Sequence, residues 1–212
     1  MTTSHHPTEA LLIQHAAGVL SEGRDLVLAA HVAVCHLCRS VVRRHEAIGG
    51  ALLESLPAAA MDPTALDLAL ARLERPTPTE ARKPSAPDDW IAFDSPAVAK
   101  AWKRRRWAAP GVWVAPIFRG PGRSRTYLLR VGPGMSVPRH RHRGCESVTV
   151  LKGAYDDRGS IHAPGDFALN DESVEHRPTV TSGEECVCLI CTDAPLIARD
   201  WVGKLFQPFV RI

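Results

Sequence analysis

The chain has 212 residues, of which 45% are hydrophobic and 23% charged, and its formal net charge is +3. These values are typical of a globular protein, and the length allows one large or two small domains. No run approaches the ~18 apolar residues of a membrane-spanning helix, and the N-terminus lacks the basic start and apolar core of a secretion signal. We therefore expect a cytoplasmic protein without a membrane segment, whose six cysteines bind metal or sense redox state rather than form disulfides.

Apolar residues recur at helical spacing through the first 75 residues, which predicts about four short helices. The first begins near Pro7 and is interrupted at Gly23. The second and third follow as one long apolar pattern that either continues through Cys35 or breaks near it. The fourth begins after Asp62 and carries a narrow apolar stripe over residues 65–73, with too little around it to be fully buried.

A proline-rich stretch separates these helices from the rest of the chain. The sequence RPTPTEARKPSAP contains four prolines and almost no large apolar side chain, which is typical of an extended linker. Beyond it, short apolar or alternating runs such as RTYLLRV and SVTVLKG are separated by Gly, Pro and Asp turns. We therefore predict a multidomain α + β chain: a helical domain at 1–75, a linker at 76–88 and an all-β sandwich or barrel at 89–212.

A short basic run flanked by two tryptophans follows the linker. It consists of Lys100, Lys103, Arg104, Arg105 and Arg106. Such a run can bind nucleic-acid phosphates, but it is more often a solvated face, and no recognition motif accompanies it. We therefore expect no direct binding of nucleic acid.

The predicted helices carry a pattern of metal ligands, His31-x3-Cys35-x2-Cys38. On a continuous helix the three side chains share one face, and around a break the two cysteines can still close round one ion. A structural zinc needs four ligands, and His6 or His5 supplies the last if the first two helices pack antiparallel; we choose His6. The alternatives are two buried cysteines beside an exposed histidine, or a dithiol redox switch whose oxidation expels the metal.

A histidine near the N-terminus followed by His-x3-Cys-x2-Cys on a small helical bundle resembles the zinc-binding anti-sigma domain. The resemblance covers about residues 1–75. It implies that the domain grips a sigma factor of the extracytoplasmic-function type and blocks its binding to RNA polymerase. In that family the fourth helix helps to hold the sigma factor, which gives the exposed stripe a role.

A second set of ligands lies among the predicted strands, in the spacing Gly134-x5-His140-x-His142-x3-Glu146-x6-Gly153. On a strand the two histidines point to the same face. Inward-facing imidazoles beside a carboxylate form a site suited to zinc, iron, manganese or nickel, and ligand type alone does not choose among these metals. The alternative is a polar outer face, but without a metal these ionisable groups would be costly to bury inside a small barrel.

This spacing resembles the first motif of the cupin family, which implies a double-stranded β-helix or jelly-roll barrel with a metal at its centre. The family's second motif supplies one more histidine, and the sequence APGDF followed by His176 is similar to it. Asp171 and Ser173 depart from that motif, because they stand where it usually has Pro and Gly. His162, the spare candidate, precedes the turn, and we interpret it as a turn or surface residue.

Four further cysteines lie in the predicted β half. Cys145 precedes Glu146, while Cys186 and Cys188 share one face of a predicted strand and Cys191 lies on the other face. These thiols either fill the core or take part in sensing, and the sequence does not decide between the two roles. A disulfide between positions two apart on a strand is awkward, because their Cα atoms lie about 6.6 Å apart, at the outer limit of bridge geometry.

The two halves together resemble one family, the ChrR-like anti-sigma factors, in which a zinc-binding anti-sigma domain is joined to a C-terminal cupin. The resemblance covers nearly the whole chain, down to the closing TDAPL and QPFVRI. It implies a cytoplasmic regulator and not an enzyme, with zinc in the helical site and zinc or another divalent metal in the cupin. The helical domain would sequester the sigma factor, and the cupin would release it on sensing singlet oxygen or an organic hydroperoxide; a homodimer through the cupin stays open.

Two other functions remain open from the residues. Three histidines and one glutamate are also the ligand set of iron or manganese dioxygenases and of some isomerases, so the chain could be a cupin metalloenzyme with an accessory zinc-binding module. Zinc in both sites favours the sensor, whereas redox-active iron favours turnover. Direct action as a transcription factor through the basic run would require salt-sensitive DNA binding.

Overall fold

The computed structural model describes residues 3–73, 87, 89–195 and 197–198. Within them five helices come first: α1 (Glu9–Ala16), α2 (Glu22–Val34), α3 (His36–Glu54), α4 (Ala65–Leu73) and α5 (Pro96–Lys103). Twelve strands follow in the same residues: β1 (Arg106–Ala109), β2 (Val112–Arg119), β3 (Arg125–Val131), β4 (His140–Arg141), β5 (Glu146–Lys152), β6 (Tyr155–Asp157), β7 (Ser160–His162), β8 (Phe167–Asn170), β9 (Glu175–His176), β10 (Thr179–Val180), β11 (Cys186–Thr192) and β12 (Ile197–Ala198). The predicted order, a helical half followed by an all-β half, is confirmed.

The helical half is organised around a sharp bend at Cys35. This residue has an extended backbone (φ −89°, ψ 107°), so it ends α2 and at the same time caps α3. Its Sγ accepts a hydrogen bond from the backbone N–H of Cys38 at 3.5 Å, which satisfies one of the free donors at the start of α3. The chain bends by 116° between the two helices. Of the two alternatives left by the sequence, the broken helix is correct.

The first helix packs chiefly against α3. Antiparallel packing of α1 on α2, the condition under which the sequence supplies the fourth ligand, is not the main contact of α1, because the bend at Cys35 turns α3 back past α1. His45 of α3 lies close to the start of α1, with 3.7 Å between its Nε2 and Oε1 of Glu9. The segment before α1 nevertheless reaches the two cysteines, by way of this α1–α3 packing.

The fourth helix buries none of its side chains, in agreement with its narrow apolar stripe. The linker predicted at 76–88 lies outside the described residues except for Pro87, so the domain boundary stays a prediction. The residues that follow the linker pack directly on the β half. The backbone N–H of Ile91 donates to the carbonyl oxygen of Leu151 in β5 at 2.9 Å, and both Trp90 and Ile91 are buried.

The strands of the described residues form three antiparallel sheets. The largest has six strands in the order β1-β2-β3-β11-β5-β8, and the two smaller sheets have the orders β10-β6-β7 and β12-β4-β9. β5 and β11, which are adjacent interior strands of the large sheet, are buried on both faces. One face looks into the interior of the β half and α2 covers the other, which explains the continuous runs of apolar and small polar residues in these strands.

The fifth helix was not predicted from the sequence. It begins at Ser95, whose hydroxyl accepts a hydrogen bond from the N–H of Val98, and Pro96 occupies its first turn. Val98 is buried against the large sheet, whereas Lys100 and Lys103 are exposed. The basic run therefore forms the solvent-exposed face of α5 and the residues directly after it. Sequence analysis missed the apolar face on the other side of α5.

Among the described residues, none of the helices is by itself both long enough and apolar enough to cross a membrane. Taken together, α2 and α3 have the length and composition of a membrane span, but the chain bends by 116° at their junction.

The helical half lies against the large sheet through α2. A Cβ atom built on Gly23 would lie 1.9 Å from Oγ1 of Thr126, so the close approach of α2 to β3 requires glycine at this position. Thr149 of β5 donates a hydrogen bond to the backbone oxygen of Val27 at 2.8 Å. One apolar core runs from the helices into the sheet. The two halves therefore form a single packed unit within the described residues.

Candidate metal sites

The four predicted ligands of the helical half converge in one place. The donor atoms of His6, His31, Cys35 and Cys38 all lie within 4.8 Å of one another, and we call this group the His/Cys cluster. His31 lies in the last turn of α2, Cys35 at the bend and Cys38 in the first turn of α3. The bend therefore gathers three ligands, and the segment before α1 adds the fourth.

The spacing of these donor atoms fits a tetrahedral zinc ion. His31 Nε2 lies 3.2 Å from Cys38 Sγ, and His6 Nδ1 lies 3.4 Å from Cys35 Sγ and 3.5 Å from Cys38 Sγ. Bonds of about 2.1 Å to nitrogen and about 2.3 Å to sulfur place neighbouring ligands of a tetrahedron about 3.6 Å apart. Nδ1 of His31 lies 2.6 Å from the carbonyl oxygen of Gly165. Because that oxygen can only accept, Nδ1 carries the proton and Nε2 presents a lone pair.

Burial and local donors set the protonation states of this cluster. Burial lowers the pKa of His31, so its imidazole is neutral. Burial opposes ionisation of Cys35, but hydrogen bonds to its sulfur outweigh burial and lower the pKa. Burial, together with the hydrogen bond and charge of Cys35, raises the pKa of Cys38 to about 12. Cys38 is therefore protonated in the absence of a metal ion, and metal binding would displace its proton.

His5 lies outside the His/Cys cluster and contacts the β half instead. Its Nδ1 lies 3.1 Å from Oδ2 of Asp166, and its Nε2 lies 2.8 Å from Oγ of Ser160. Its ring stacks on His162 with 4.1 Å between centroids, and His162 stacks in turn on Tyr155 at 4.8 Å. His162 is buried by these two rings, so the interpretation of this histidine as a turn or surface residue is wrong.

The four predicted ligands of the β half also converge. The donor atoms of His140, His142, Glu146 and His176 all lie within 4.8 Å of one another, and all four residues are buried. We call this group the His/Glu cluster. His140 of β4 pairs with His176 of β9, and Glu146 begins β5. A small sheet and the large sheet therefore each contribute ligands.

Hydrogen bonds on the far side of two rings determine which nitrogens face the centre of the His/Glu cluster. Nδ1 of His140 lies 2.8 Å from the carbonyl oxygen of Pro138, and Nδ1 of His176 lies 2.9 Å from Oδ2 of Asp157. Both oxygens accept, so each Nε2 carries a lone pair, and these two atoms face each other at 3.0 Å. Two lone pairs at this distance repel unless a cation lies between them. Nitrogens bound at right angles at about 2.1 Å lie about 3.0 Å apart, so the pair fits a metal ion.

Burial disfavours charge on the free ligands of this cluster. Burial, with the charges of His140 and His176, lowers the pKa of His142 to about 3. Burial raises the pKa of Glu146 to about 7, although Asn170 Nδ2 donates to its carboxylate at 3.1 Å. A divalent cation would neutralise the carboxylate and accept the imidazole lone pairs. The donor set therefore fits a metal that accepts mixed nitrogen and oxygen ligands.

A cavity of about 60 Å³ adjoins the His/Glu cluster. Its walls are mostly apolar and include three ligands of the cluster. Cys186 and Cys188 of β11 also line it, with 3.7 Å between their sulfur atoms. Cys191 packs on the opposite face of the strand, as predicted. A thiol pair therefore lies beside the candidate metal centre.

Sequence reasoning did not single out the residues that orient the ligands. Asp157 holds His176, and Asn170 holds Glu146. Asp157 occupies a turn sequence and Asn170 ends a strand, so the residues around them in the sequence do not indicate that they contact His176 and Glu146. Gly165, whose carbonyl oxygen orients His31, lay in a recognisable motif, the APGDF turn.

These features define a class of protein: a cupin-type β half with a buried cluster of candidate metal ligands, joined to a helical half with two histidines and two cysteines in a second cluster. The family model described as ChrR Cupin-like domain matches residues 98–195. Anti-sigma-E factor ChrR from Cereibacter sphaeroides is 36% identical over 217 residues, which cover 100% of both chains. The chain therefore belongs to the ChrR family of anti-sigma factors, which are regulators and not enzymes, and the predicted cupin fold is confirmed.

Two further comparisons differ in extent. The crystal structure of Rhodobacter sphaeroides SigE in complex with the anti-sigma ChrR matches with a TM-score of 0.73 and 33% identity, covering 91% of this chain and 100% of that chain. A putative dimethylsulfoniopropionate lyase, DddL, from Cereibacter sphaeroides is 32% identical over 85 residues, or 38% of this chain and 33% of that protein. The first match extends over both halves, whereas the second spans a minor part of each protein.

Proposed function

We propose that this protein is a cytoplasmic anti-sigma factor that sequesters a sigma factor of the extracytoplasmic-function type through its helical half. The observation that carries the proposal is an extensive apolar surface on α3 and α4. Full-length similarity to Anti-sigma-E factor ChrR, and to the ChrR chain of a SigE complex, supports the same partner. Because sigma factors act with RNA polymerase, the proposal also assigns the protein to the cytoplasm.

Exposed large apolar side chains, which we together call the apolar surface, recur from the second half of α3 to the end of α4. Between 49% and 81% of each of these residues is exposed: Ile48, Leu52, Leu53, Leu56, Met61, Leu66, Leu68, Leu70 and Leu73. Soluble monomers rarely expose contiguous apolar patches of more than a few hundred Å², and larger ones mark binding sites for other proteins. Helices with an apolar face commonly bind in a groove of a partner. We therefore assign the sigma-factor contact to this surface.

We further propose that zinc in the His/Cys cluster fixes the angle between α2 and α3. Zinc held by these four residues would tie α3, which buries only Cys38 and Val42, to the end of α2. The bend at Cys35 determines where α3 points, and α3 carries the first part of the apolar surface. Sigma-factor binding is therefore expected to depend on the cysteines.

For the cupin half we propose a sensor of oxidative stress, responding to singlet oxygen or an organic hydroperoxide, with zinc or another divalent metal in the His/Glu cluster. The support is a buried metal-ligand set beside a small cavity that also contains the Cys186 and Cys188 thiols. A change at this centre would alter how the sheet packs on α2. Such a change shifts the population towards free sigma factor.

Copurification with the sigma factor tests both steps. We expect Cys35→Ser/Cys38→Ser and Leu66→Asp/Leu70→Asp to weaken binding by about tenfold or more, since each anchor side chain of a hot spot contributes about 2 kcal/mol. Leu169→Asp, which changes an exposed leucine of β8, is the matched control and should bind the sigma factor normally.

His142→Ala tests the sensing step: this variant should bind the sigma factor yet retain it under oxidant. Undiminished binding by both double variants, or normal release by His142→Ala, would overturn the corresponding step.

The size of the cavity argues against the enzyme alternative that the ligand set and the partial similarity to DddL leave open. Pockets for organic ligands usually measure about 300–1,000 Å³. An engineered cavity of roughly 150 Å³ holds benzene. A cavity of about 60 Å³ leaves room for a small oxidant beside the metal and is smaller than either of these.

A further inference from the structure

A turn of the β half contacts the His/Cys cluster from outside. It comprises residues 163–166, between β7 and β8. The carbonyl oxygen of Gly165 accepts the hydrogen bond from Nδ1 of His31 at 2.6 Å. The ring of Phe167, directly after the turn, lies edge-on to the His31 ring with 6.1 Å between centroids. The tautomer and the ring orientation of His31 are therefore determined by the β half.

Asp166 in the same turn fixes the segment that carries the fourth ligand. Its Oδ1 accepts hydrogen bonds from the backbone N–H groups of Ser4 at 2.7 Å and His5 at 3.1 Å, and its Oδ2 lies 3.1 Å from His5 Nδ1. The backbone oxygen of His5 accepts a bond from the N–H of Phe167 at 3.1 Å. Asp166 is only 2% exposed. Because His6 follows directly, its position depends on a buried carboxylate of the β half.

The approach of the turn to the helical half is close enough to require glycine. Gly165 has φ +93°, a backbone conformation that side chains with a Cβ rarely adopt. A Cβ atom at this position would also lie 2.9 Å from Cγ2 of Thr3 and 2.9 Å from Cγ2 of Val34. The carbonyl of Gly165 reaches His31 because nothing larger separates the two halves here.

We propose that Gly165 and Asp166 are positioning residues for the His/Cys cluster, so that part of its metal affinity resides in the cupin half. The inference rests on the proposed metal site. Outer partners of metal-bound histidines hold the tautomer and the ring in place, and losing one typically weakens metal binding about 10–100-fold. Metal affinity at the His/Cys cluster therefore decreases when the turn is displaced.

Cobalt binding to the full-length protein tests this inference. Of the two clusters found among the described residues, the His/Cys cluster is the one with cysteine donors, so a sulfur-to-cobalt absorption band reports on it. Asp166→Asn weakens the bonds to Ser4 and His5, and His5→Ala removes the ring contact while leaving the turn intact. We expect both variants to bind cobalt about 10–100-fold more weakly at this cluster. His5→Ala keeps the test decisive if Asp166→Asn disturbs folding.

The matched control is Asp193→Asn. Asp193 pairs with Arg24 at 2.7 Å across the same interface, but its helical partner is at the opposite end of α2 from His31. We expect its cobalt affinity to equal that of the wild type. Unchanged affinity in Asp166→Asn and His5→Ala, or an equal loss in Asp193→Asn, would overturn the inference. Absence of the sulfur-to-cobalt band from the wild-type protein would instead overturn the proposed metal site.

Discussion

Single histidines in this protein are oriented by the acceptors behind them. Nδ1 of His31, His140 and His176 each faces an oxygen atom, so each Nε2 is left with a lone pair for a cation. Backbone carbonyls serve the first two rings, whereas the carboxylate of Asp157 serves the third. Burial opposes ionisation of Asp157, but the hydrogen bond and charge of His176, together with the charges of Arg158 and His162, outweigh burial and lower the pKa. A charged acceptor also increases the basicity of the ligand nitrogen.

Replacing Asp157 tests how much this acceptor contributes. Asp157→Asn keeps the shape of the side chain but offers a weaker, neutral oxygen to His176. We expect the metal in the His/Glu cluster to bind about 10–100-fold more weakly, measured by competition with a chelator. Asp156→Asn is the control, since that side chain instead accepts the N–H of Gly159 at 2.8 Å in the adjoining turn. Equal metal affinity in the two variants would contradict the assigned role.

Among the secondary-structure elements, α2 is the one that joins the two halves. It covers β5 and β11 on one side and carries His31 in its last turn. Thr149 satisfies the backbone oxygen of Val27 in the middle of the helix. Gly23 near one end of α2 and Gly165 opposite the other end let the helix lie flat on the sheet. The position of His31, the candidate ligand at its end, is therefore set by packing along the whole length of the helix.

A pair of glycine substitutions tests the packing of α2. Gly23→Ala would place a methyl group 1.9 Å from Thr126 Oγ1 and 3.1 Å from Cys191 Sγ, both buried. Overpacking of this kind costs about 1–3 kcal/mol, so we expect a lower melting temperature. Gly49→Ala in α3 meets nothing within 4 Å and should stabilise the protein by about 1 kcal/mol through helix propensity. Equal melting temperatures for the two variants would contradict the close packing at Gly23.

The sequence predicted the ligand clusters better than the contacts between the halves. The spacing of His31, Cys35 and Cys38 is local, and so is the cupin-like spacing around His140, so both could be recognised without a structure. The contact between His5 and Asp166 joins positions 161 residues apart and follows no periodic pattern. The helix α5 was missed for another reason: the charge of the basic run concealed the start signal that Ser95 and Pro96 supply.

Across the whole molecule, short rigid elements connect the two clusters. β8 has Phe167 against His31 at one end, while Asn170 at the other end donates to Glu146 at 3.1 Å. The β6–β7 hairpin makes a second connection, in which β6 holds His176 through Asp157 and β7 contacts His5 through Ser160. A displacement of either element therefore changes the surroundings of both clusters.

These connections predict that metal binding at the two clusters is thermodynamically coupled. Coupling of this kind is reciprocal, and typical values of about 1–3 kcal/mol correspond to affinity changes of about 5–150-fold. We expect His142→Ala, which cannot fill the His/Glu cluster, to bind cobalt at the His/Cys cluster at least about fivefold more weakly than the fully loaded wild type. Cys38→Ser should weaken metal binding in the cupin by a similar factor. Calorimetric titration of both variants measures the two factors. If each variant lost metal affinity only at the cluster that it alters, coupling through β8 and the hairpin would be contradicted.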